Sequence, residues 1–261
     1  PSGMPVWVLT LPLTTPNPSP IDTEFAQLLC QYFQDISCGL QITQHGLCQG
    51  NLLALVKADT SLRPVVMPEV DHRFLGRVIL NAHIDAIRSY FGDLQFSLAA
   101  GGTEKVAHYV NSYFRTYDDG FLIQLDLANA FNELSRTSIR SALLARLPMF
   151  VKFFDLMHAG CYKVHFGDFS IDCWEGVLQG DPLGPTYFSL GIHSILLELQ
   201  HEFPEFTFNF YSDDGNILGR RSSVLDSQRI AQFHCGGSKV SVGGIANSVG
   251  QVFHLLTPCR R

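Results

Sequence analysis

Apolar residues along this chain follow two patterns, a helical repeat and short continuous runs. The helical repeat predicts helices over residues 21–33, 70–90, 103–115, 136–147, 149–160 and 186–201. The short runs predict strands over 121–126, 162–166, 169–174, 207–211 and 215–219, and prolines predict an edge segment at 64–68. Asp22 or Thr23 is the predicted N-cap of the first helix, and Thr103 that of the third. Helices and strands therefore alternate along most of the chain.

Composition is that of a globular protein, because 46% of the 261 residues are hydrophobic and 16% are charged. This length allows one large domain or two small ones. Residues 1–20 contain six of the thirteen prolines, which predicts an extended lead. No apolar run is long enough to span a bilayer, and no signal peptide can be read. We therefore expect an intracellular protein of the nucleus or cytoplasm, not secreted and without a membrane partner. The missing initial methionine suggests a fragment.

The cysteine and charge patterns indicate which kinds of binding site the chain could contain. Seven scattered cysteines without a C-x-x-C pair argue against a disulfide framework and against a zinc module. The net charge of −6 by itself speaks against a nucleic-acid binder. However, residues 121–219 carry 5 basic and 12 acidic groups, whereas residues 220–261 carry 6 and 1. An acidic middle and a basic end suit a metal centre beside a phosphate-contacting surface, and solvated surface charge explains the same numbers.

Three aspartates are candidate metal ligands. Asp213 and Asp214 lie at the tip of the last predicted hairpin, where Gly215 is expected to supply the positive-φ position. Two carboxylates on a rigid tip suit a divalent metal ion, but aspartate is also a common turn residue, and the pair alone favours a plain turn. Asp126 ends a predicted strand, where an aspartate either caps the next helix or binds a metal.

Two further stretches are candidates for substrate contacts. Residues 176–185 contain three glycines and two prolines, which give a fixed backbone with little side-chain bulk, on which a flat ligand or a base pair can lie. Upstream, Lys57, Arg63 and Arg73 lie within seventeen residues of one another and could converge on a phosphate group. Ordinary surface cations are the alternative for these three residues.

These features form one centre if neighbouring strands bring Asp126 beside Asp213, 87 residues later in the sequence. Two or three carboxylates there could hold two Mg²⁺ ions about 3.5–4 Å apart, an arrangement that drives in-line displacement at phosphorus. One ion would activate an attacking 3′-hydroxyl, and the other would bind a triphosphate and steady the leaving pyrophosphate.

The order and spacing of these pieces resemble those of the reverse transcriptases, in particular the reverse transcriptases of non-LTR retrotransposons. Each piece is weak alone, and their common order over roughly residues 52–219 makes the resemblance specific. The matching pieces are Arg63-Pro64-Val65, Gly101-Gly102-Thr103-Glu104, Leu125-Asp126-Leu127-Ala128-Asn129-Ala130-Phe131-Asn132, Gln179-Gly180-Asp181-Pro182-Leu183-Gly184-Pro185 and Tyr211-Ser212-Asp213-Asp214.

The resemblance implies an α+β fold, with a right-hand polymerase palm of antiparallel strands and packed helices and with partial fingers before it. Residues 21–118 would be the fingers-like region and 119–219 the palm with the catalytic motifs. Residues 1–20 would be the proline-rich lead, and 220–261 a divergent palm end or truncated tail. Because 240–261 is too short for a thumb, the thumb is expected to be missing.

The resemblance also implies roles for individual residues. Asp126, Asp213 and Asp214 would be catalytic. The metal ligands would be Asp126, Leu127, Asp213 and Asp214, holding two Mg²⁺ ions, with Mn²⁺ as an alternative. Phe131 would exclude a ribose 2′-hydroxyl and so favour dNTPs, although it is also a candidate core aromatic. The other substrate contacts would be Ala130 under the sugar, Gln179 and Gly180 at the incoming nucleotide, Tyr211 at the primer end, Lys57, Arg63 and Arg73 at the triphosphate, and Lys239 as a candidate general acid.

Two hypotheses about function remain open. The first is an RNA-directed DNA polymerase domain of a retroelement that uses an RNA template, a DNA primer and dNTPs, with unknown protein partners. The second is a degenerate, non-catalytic remnant that at most binds nucleic acid. The intact Asp126, Asp213, Asp214 and Gln179 favour the first, and the divergent C-terminal part favours the second. An RNA-directed RNA polymerase is disfavoured by Phe131 and by the Gln179-Gly180 pair.

Overall fold

The structure, a computed structural model, describes residues 20–37, 44–56, 60, 62–127, 130–220, 222 and 254–256. For residues 20–22, 37, 44–45, 126 and 254–256 it describes the backbone without the side chain. The predicted lead up to residue 19 and the candidate residues Lys57 and Lys239 lie outside the described part of the chain.

Each helix that the apolar repeat predicts is present. The helices are α1 Pro20–Ser37, α2 Gln44–Leu47, α3 Val70–Phe91, α4 Gly102–Thr116, α5 Ala130–Glu133, α6 Arg136–Arg146, α7 Val151–His158 and α8 Gly184–Glu202, with a 3₁₀ turn Pro148–Phe150 before α7.

The two N-cap predictions are wrong. Helix α1 begins at Pro20, ahead of Asp22 and Thr23, because proline is well suited to the first helical position. Helix α4 begins at Gly102 with Gly101 as its N-cap, and Thr103 lies inside the helix. Gly101 has a φ of 62°, a left-handed conformation that glycine adopts without a steric penalty.

One four-stranded sheet, which we name the fingers sheet, has the order β2-β1-β4-β5. Its strands are β1 Gln49–Val56, β2 Leu62–Pro68, β4 Tyr162–Phe166 and β5 Phe169–Cys173. Strand β2 lies at the edge, as its prolines predict, because proline cannot donate to a second neighbour. The β4–β5 hairpin follows the first palm motif in sequence but joins this sheet through a parallel pairing with β1. No local pattern in the sequence predicts this pairing.

The second sheet, which we name the palm sheet, is antiparallel throughout and has the order β6-β7-β3-β8. Its strands are β3 Gly120–Asp126, β6 Thr207–Tyr211, β7 Asp214–Arg220 and β8 His254–Leu256. The predicted strand 121–126 and the predicted hairpin 207–219 are therefore neighbours in space.

Helix α8 is at the centre of the hydrophobic core. Every residue from 186 to 193 is buried, as expected for a helix that packs against neighbours on several sides. Gly191 allows close approach, because a Cβ there would lie 2.6 Å from Leu134. The core continues onto one face of the palm sheet through Ile123, Phe208 and Ile217. Burying each such side chain contributes roughly 1.5–3 kcal/mol, and this packing fixes the sheet on which the candidate aspartates lie.

No helix among the described residues is both long enough and apolar enough to cross a lipid bilayer.

Candidate active site

The β6–β7 hairpin carries two of the candidate aspartates. Tyr211 and Asp214 form the last pair of the ladder, so Ser212 and Asp213 are the two turn residues. Ser212 has a φ of 54°, and Asp213 has no positive φ. Positive φ at the first turn residue alone is the pattern of a type II′ turn, which matches the twist of a hairpin.

The prediction that Gly215 supplies the positive φ is wrong, since that conformation belongs to Ser212. Gly215 is needed for another reason. A Cβ at this position would lie 2.5 Å from the ring of Phe210, its cross-strand partner. The absence of a side chain at Gly215 lets Phe210 fill the core directly beneath the turn.

Strand β3 brings Asp126 to the same end of the palm sheet. The ladder between β3 and β7 pairs Asp126 with Asp214, and Asp213 is the next residue along the chain. The topology needed to join the two motifs is therefore present in the backbone, although 87 residues separate Asp126 from Asp213. Leu127 follows β3 directly, and because its side chain is apolar, it can offer only its backbone carbonyl oxygen as a ligand.

The face of the sheet that carries Asp214 is polar near this end. Antiparallel partners share a face, so Asp214, Asn216 and Gln124 lie on the same side as Tyr211. These residues and the first turns of α4 line a cleft of about 740 Å³. Tyr211 is half-buried, and its ring lies against Gly102 at the start of α4, where a Cβ would be 3.1 Å from the ring.

Residues 179–185, which we name the 179–185 loop, are attached to the fingers sheet. The Val66 N–H donates to the Gln179 carbonyl oxygen at 2.8 Å. Gly180 has a φ of 129°, and a Cβ there would collide with the Val66 carbonyl oxygen. Arg63 is exposed on the same strand, β2. The structure therefore places Arg63 on the strand that lies beside the loop residues Gln179 and Gly180.

A buried cluster of ionisable groups lies under this loop. His72 Nε2 from α3 and His158 Nε2 from α7 each lie 3.5 Å from Asp181 Oδ2, and all three side chains are fully buried. The other carboxylate oxygen, Asp181 Oδ1, accepts the Leu183 N–H at 2.9 Å. The Tyr162 hydroxyl lies 3.4 Å from His72 Nδ1 and donates to a backbone carbonyl on β1 at 2.6 Å.

The cluster favours an ionised Asp181. Burial opposes the negative charge, but His72 and His158 outweigh it, so the pKa of the Asp181 carboxyl lies well below its usual range. Burial lowers the pKa of His158 below its ordinary value of 6.5, although Asp181 opposes this shift. The loop is thus connected to α3 and α7 by charge as well as by packing.

Phe131 and Ala130 lie on α5, which begins four residues after Asp126. The ring of Phe131 stacks on Phe188 of α8 at a centroid distance of 4.6 Å and an angle of 15°. Its carbonyl oxygen accepts the Val177 N–H at 2.7 Å. Ala130 is buried in the core. Phe131 therefore does pack as a core aromatic, and because it is only half-buried, part of the ring remains accessible.

Arg73 lies on the first turn of α3. Its Nε is buried and has no hydrogen-bond partner among the residues that the structure describes. A buried cationic donor of this kind is costly to leave without an acceptor. Lys57 and Lys239, the other predicted cations, cannot be placed relative to Arg63 and Arg73.

The donor atoms at the hairpin suit a hard divalent cation. Carboxylate and carbonyl oxygens are the ligands that Mg²⁺ and Mn²⁺ prefer. Among the described side chains no group of three or more His, Cys, Asp or Glu is arranged for a metal ion, and the Asp126 side chain is not among those described. The ligand set that the sequence predicts therefore rests on the backbone register and on donor chemistry.

Several residues of this region have no sequence signal of their own. Gln95 hydrogen-bonds Ser212 at the hairpin turn, and His72 and His158 hold Asp181. Asp181 lies inside a recognised motif, but nothing in the sequence indicates its two partners. These partners come from helices that are distant in sequence and meet only in the folded chain.

Comparisons with known proteins agree with this geometry. Residues 55–236 match the model of the family described as reverse transcriptase (RNA-dependent DNA polymerase). The match continues past Gly219, where the resemblance read from the sequence becomes weak. The retrotransposable element SLACS 132 kDa protein of Trypanosoma brucei gambiense is 30% identical over 175 residues, which are 64% of this chain. The chain spans 14% of the length of that relative.

Solved structures of telomerases share the fold. An apo telomerase of Candida tropicalis, truncated at its C-terminal domain, has a TM-score of 0.57 at 9% identity, over 92% of this chain and 56% of that one. The telomerase of Candida albicans, in complex with a fragment of telomeric RNA, has a TM-score of 0.53 at 12% identity, over 78% of this chain and 42% of that one. At these identities the likeness shows the fold, and it confirms the predicted α+β palm and fingers class. Taken with the family match, it means that this chain belongs to the reverse transcriptase family.

Proposed function

We propose that this chain is the RNA-directed DNA polymerase domain of a retroelement of the non-LTR type. It would add dNTPs to the 3′-hydroxyl of a primer annealed to an RNA template. The observation that carries this proposal is the register of the palm sheet, in which Asp126 pairs with Asp214 next to the turn residue Asp213. The retrotransposon relative supports the same assignment.

In this proposal Asp126, Asp213 and Asp214 are the catalytic carboxylates, and Leu127 adds a backbone carbonyl. Together they would hold two Mg²⁺ ions, or Mn²⁺. Such ions, when bound, activate an attacking hydroxyl and stabilise a leaving pyrophosphate. The contribution of the chain is to fix the oxygen donors on two adjacent strands, so that little reorganisation is needed when substrate arrives.

The remaining candidates would select and orient the nucleotide. Phe131, held by its stack on Phe188, would oppose a ribose 2′-hydroxyl and so favour dNTPs. Gln179 and Gly180 would lie along the incoming nucleotide, and Tyr211 beside the primer end. The contact under the sugar would come from Ala130, the triphosphate contacts from Lys57, Arg63 and Arg73, and the general acid from Lys239.

The alternative is a non-catalytic remnant that at most binds nucleic acid. It is weakened by the support around the motifs, because Gly215, Gly180 and the buried Asp181 cluster all preserve the shape of the candidate site. A protein with the proposed activity would work in the nucleus or the cytoplasm, where RNA templates and dNTPs are present.

The test is primer extension with an RNA template, an annealed DNA primer, dNTPs and either Mg²⁺ or Mn²⁺, using the protein in its full natural length. We expect Asp213→Ala to reduce extension by at least about a thousandfold, as removal of an essential catalytic carboxylate does. The matched control is Asp168→Ala, because Asp168 is an exposed aspartate at the tip of the β4–β5 hairpin. This control should leave both extension and the melting temperature unchanged.

The proposal is wrong if the unmodified protein extends the primer no better than the Asp213→Ala variant does. In that case the remnant hypothesis stands, and binding of the annealed primer and template, measured by fluorescence anisotropy, decides whether any nucleic-acid function remains.

A further inference from the structure

Gln95 makes an unusual pair of hydrogen bonds with the turn of the candidate site. Its side chain is buried, with 3% of its surface exposed. The Ser212 N–H donates to Gln95 Oε1 at 2.8 Å, and Gln95 Nε2 donates to the Ser212 carbonyl oxygen at 3.2 Å. One amide therefore satisfies both backbone groups of a single residue 117 positions away in sequence.

Ser212 is the residue of this turn that needs outside support. It adopts a φ of 54°, a left-handed conformation that is strained for a serine side chain. Residues with a Cβ keep such a conformation only when their surroundings determine it. Two hydrogen bonds to the same peptide backbone from one rigid side chain provide that constraint.

Gln95 is itself firmly held. The residues on either side of it pair with β6, because the Phe210 N–H donates to the Leu94 carbonyl oxygen at 2.9 Å and the Phe96 N–H donates to the Phe210 carbonyl oxygen at 2.7 Å. The Ser97 N–H also donates to Gln95 Oε1, at 3.3 Å. Ser97 is fixed in turn by a hydroxyl contact of 2.9 Å to Ser189 on α8. The amide is thus oriented before any substrate binds.

We propose that Gln95 is a positioning residue of the polymerase site, which holds Ser212 in its left-handed conformation and thereby directs Asp213 toward Asp126 and Asp214. This inference rests on the proposed function and deepens it. It assigns a role to a segment between α3 and α4 that contains none of the predicted site residues. Gln95 touches neither metal nor substrate, so it acts only through the backbone of the turn.

The test compares Gln95→Met, which keeps the length of the side chain and removes both hydrogen bonds, with the unmodified protein. We expect kcat for primer extension to fall about 10- to 100-fold, the effect of a small misplacement of a catalytic group, while KM for the dNTP changes less than about twofold. Independently of activity, hydrogen exchange of the Ser212 amide should become faster, because its acceptor is gone.

A second substitution separates positioning from simple packing. Glycine reaches positive φ without a steric penalty, so Ser212→Gly in the Gln95→Met background should restore several-fold of the lost kcat. The matched control is Gln200→Leu. It removes a similar hydrogen bond, which the side-chain amide Gln200 Nε2 donates to the Phe206 carbonyl oxygen at 3.1 Å, just before β6. This control should change neither kcat nor the exchange of the Ser212 amide.

If Gln95→Met fails to fold, Gln95→Glu replaces it. A carboxylate can accept the Ser212 N–H but cannot donate to the Ser212 carbonyl oxygen until it is protonated, so the activity of this variant relative to the unmodified protein should rise as the pH falls. A ratio that is flat with pH overturns the inference for that variant.

The outcomes of the two proposals are distinguishable. If the unmodified protein extends no primer, the proposed function fails, and the positioning role fails with it. If the unmodified protein is active and Gln95→Met keeps its kcat, or loses activity only in proportion to unfolded protein without rescue by Ser212→Gly, the inference about Gln95 alone is wrong.

Discussion

The hairpin turn and the 179–185 loop both contain an unusual backbone conformation, and different chemical groups stabilise it in each. Each contains one residue at positive φ, Ser212 at 54° and Gly180 at 129°. Each is held by a buried polar side chain. A neutral amide, Gln95, holds the backbone of the hairpin turn, whereas the loop is held through Asp181, a carboxylate between two histidines.

Because of this difference, the two parts of the candidate site respond differently to pH. An amide does not titrate, so the support of the hairpin is independent of pH. The loop is held through a cluster that contains His158, whose pKa is lowered by burial, so the support of the loop depends on pH. The two regions also differ in the residue at positive φ. In the loop, Gly180 adopts this conformation without a steric penalty, whereas in the turn Ser212 must be held in it by its surroundings.

The largest effect is expected at the loop, from Gly180→Ala. The Cβ of the alanine would collide with the Val66 carbonyl oxygen, and the alanine would have to adopt a φ of 129°. We therefore expect a loss of roughly 3 kcal/mol in the free energy of unfolding, measured by urea denaturation. Gly92→Ala is the control, because Gly92 also has positive φ, at 54°, with open space around it. That control should cost less than Gly180→Ala, because it adds the strain of an unusual backbone conformation without a collision. Equal losses in the two variants would show that contact with β2 does not matter.

An intermediate effect is expected from pH. Because burial holds the pKa of His158 below 6.5 in the folded protein, the unfolded chain binds this proton first as the pH falls. The free energy of unfolding should therefore decrease below pH 6.5, with a slope of at most about 1.4 kcal/mol per pH unit for one proton. The groups that face His158 are His72, Asp181, Arg136 and Tyr187.

The variant that checks this origin is His158→Gln, in which the slope between pH 7.5 and 5.5 should flatten relative to the unmodified protein. A slope that survives this substitution would assign the pH dependence to other groups. The corresponding measurement at the hairpin is the ratio of kcat between the unmodified protein and Gln95→Met, which should stay constant over the same pH range.

The smallest effect is expected from Ser212→Gly in the otherwise unmodified protein. Glycine relieves the strain of positive φ but gives the unfolded chain more freedom, and the two changes nearly cancel. We expect the free energy of unfolding to change by less than about 0.5 kcal/mol, measured by urea denaturation. A gain well above about 1 kcal/mol would mean that the strain of positive φ at Ser212 outweighs the freedom that glycine gives the unfolded chain.

Local patterns in the amino-acid sequence are enough to predict most of the elements and the order of the motifs. Local patterns predict the six helices of eight or more residues, the strand that ends at Asp126 and the hairpin that carries Asp213 and Asp214, but not the four-residue helices α2 and α5. The resemblance to reverse transcriptases, which the family match confirms, followed from the order of the same motifs. Such signals are readable because periodicity and turn chemistry act over a few residues.

The support of these pieces depends on contacts that form in the folded chain. The pairing of Asp126 with Asp214, the attachment of the loop to Val66, the histidines around Asp181 and the amide of Gln95 all join residues that are far apart in sequence. The local prediction for Gly215 failed for the same reason, because contacts from Gln95 and Phe210 set the conformation of the turn. Buried polar groups must find partners wherever the fold brings them, and no local pattern in the sequence identifies those partners.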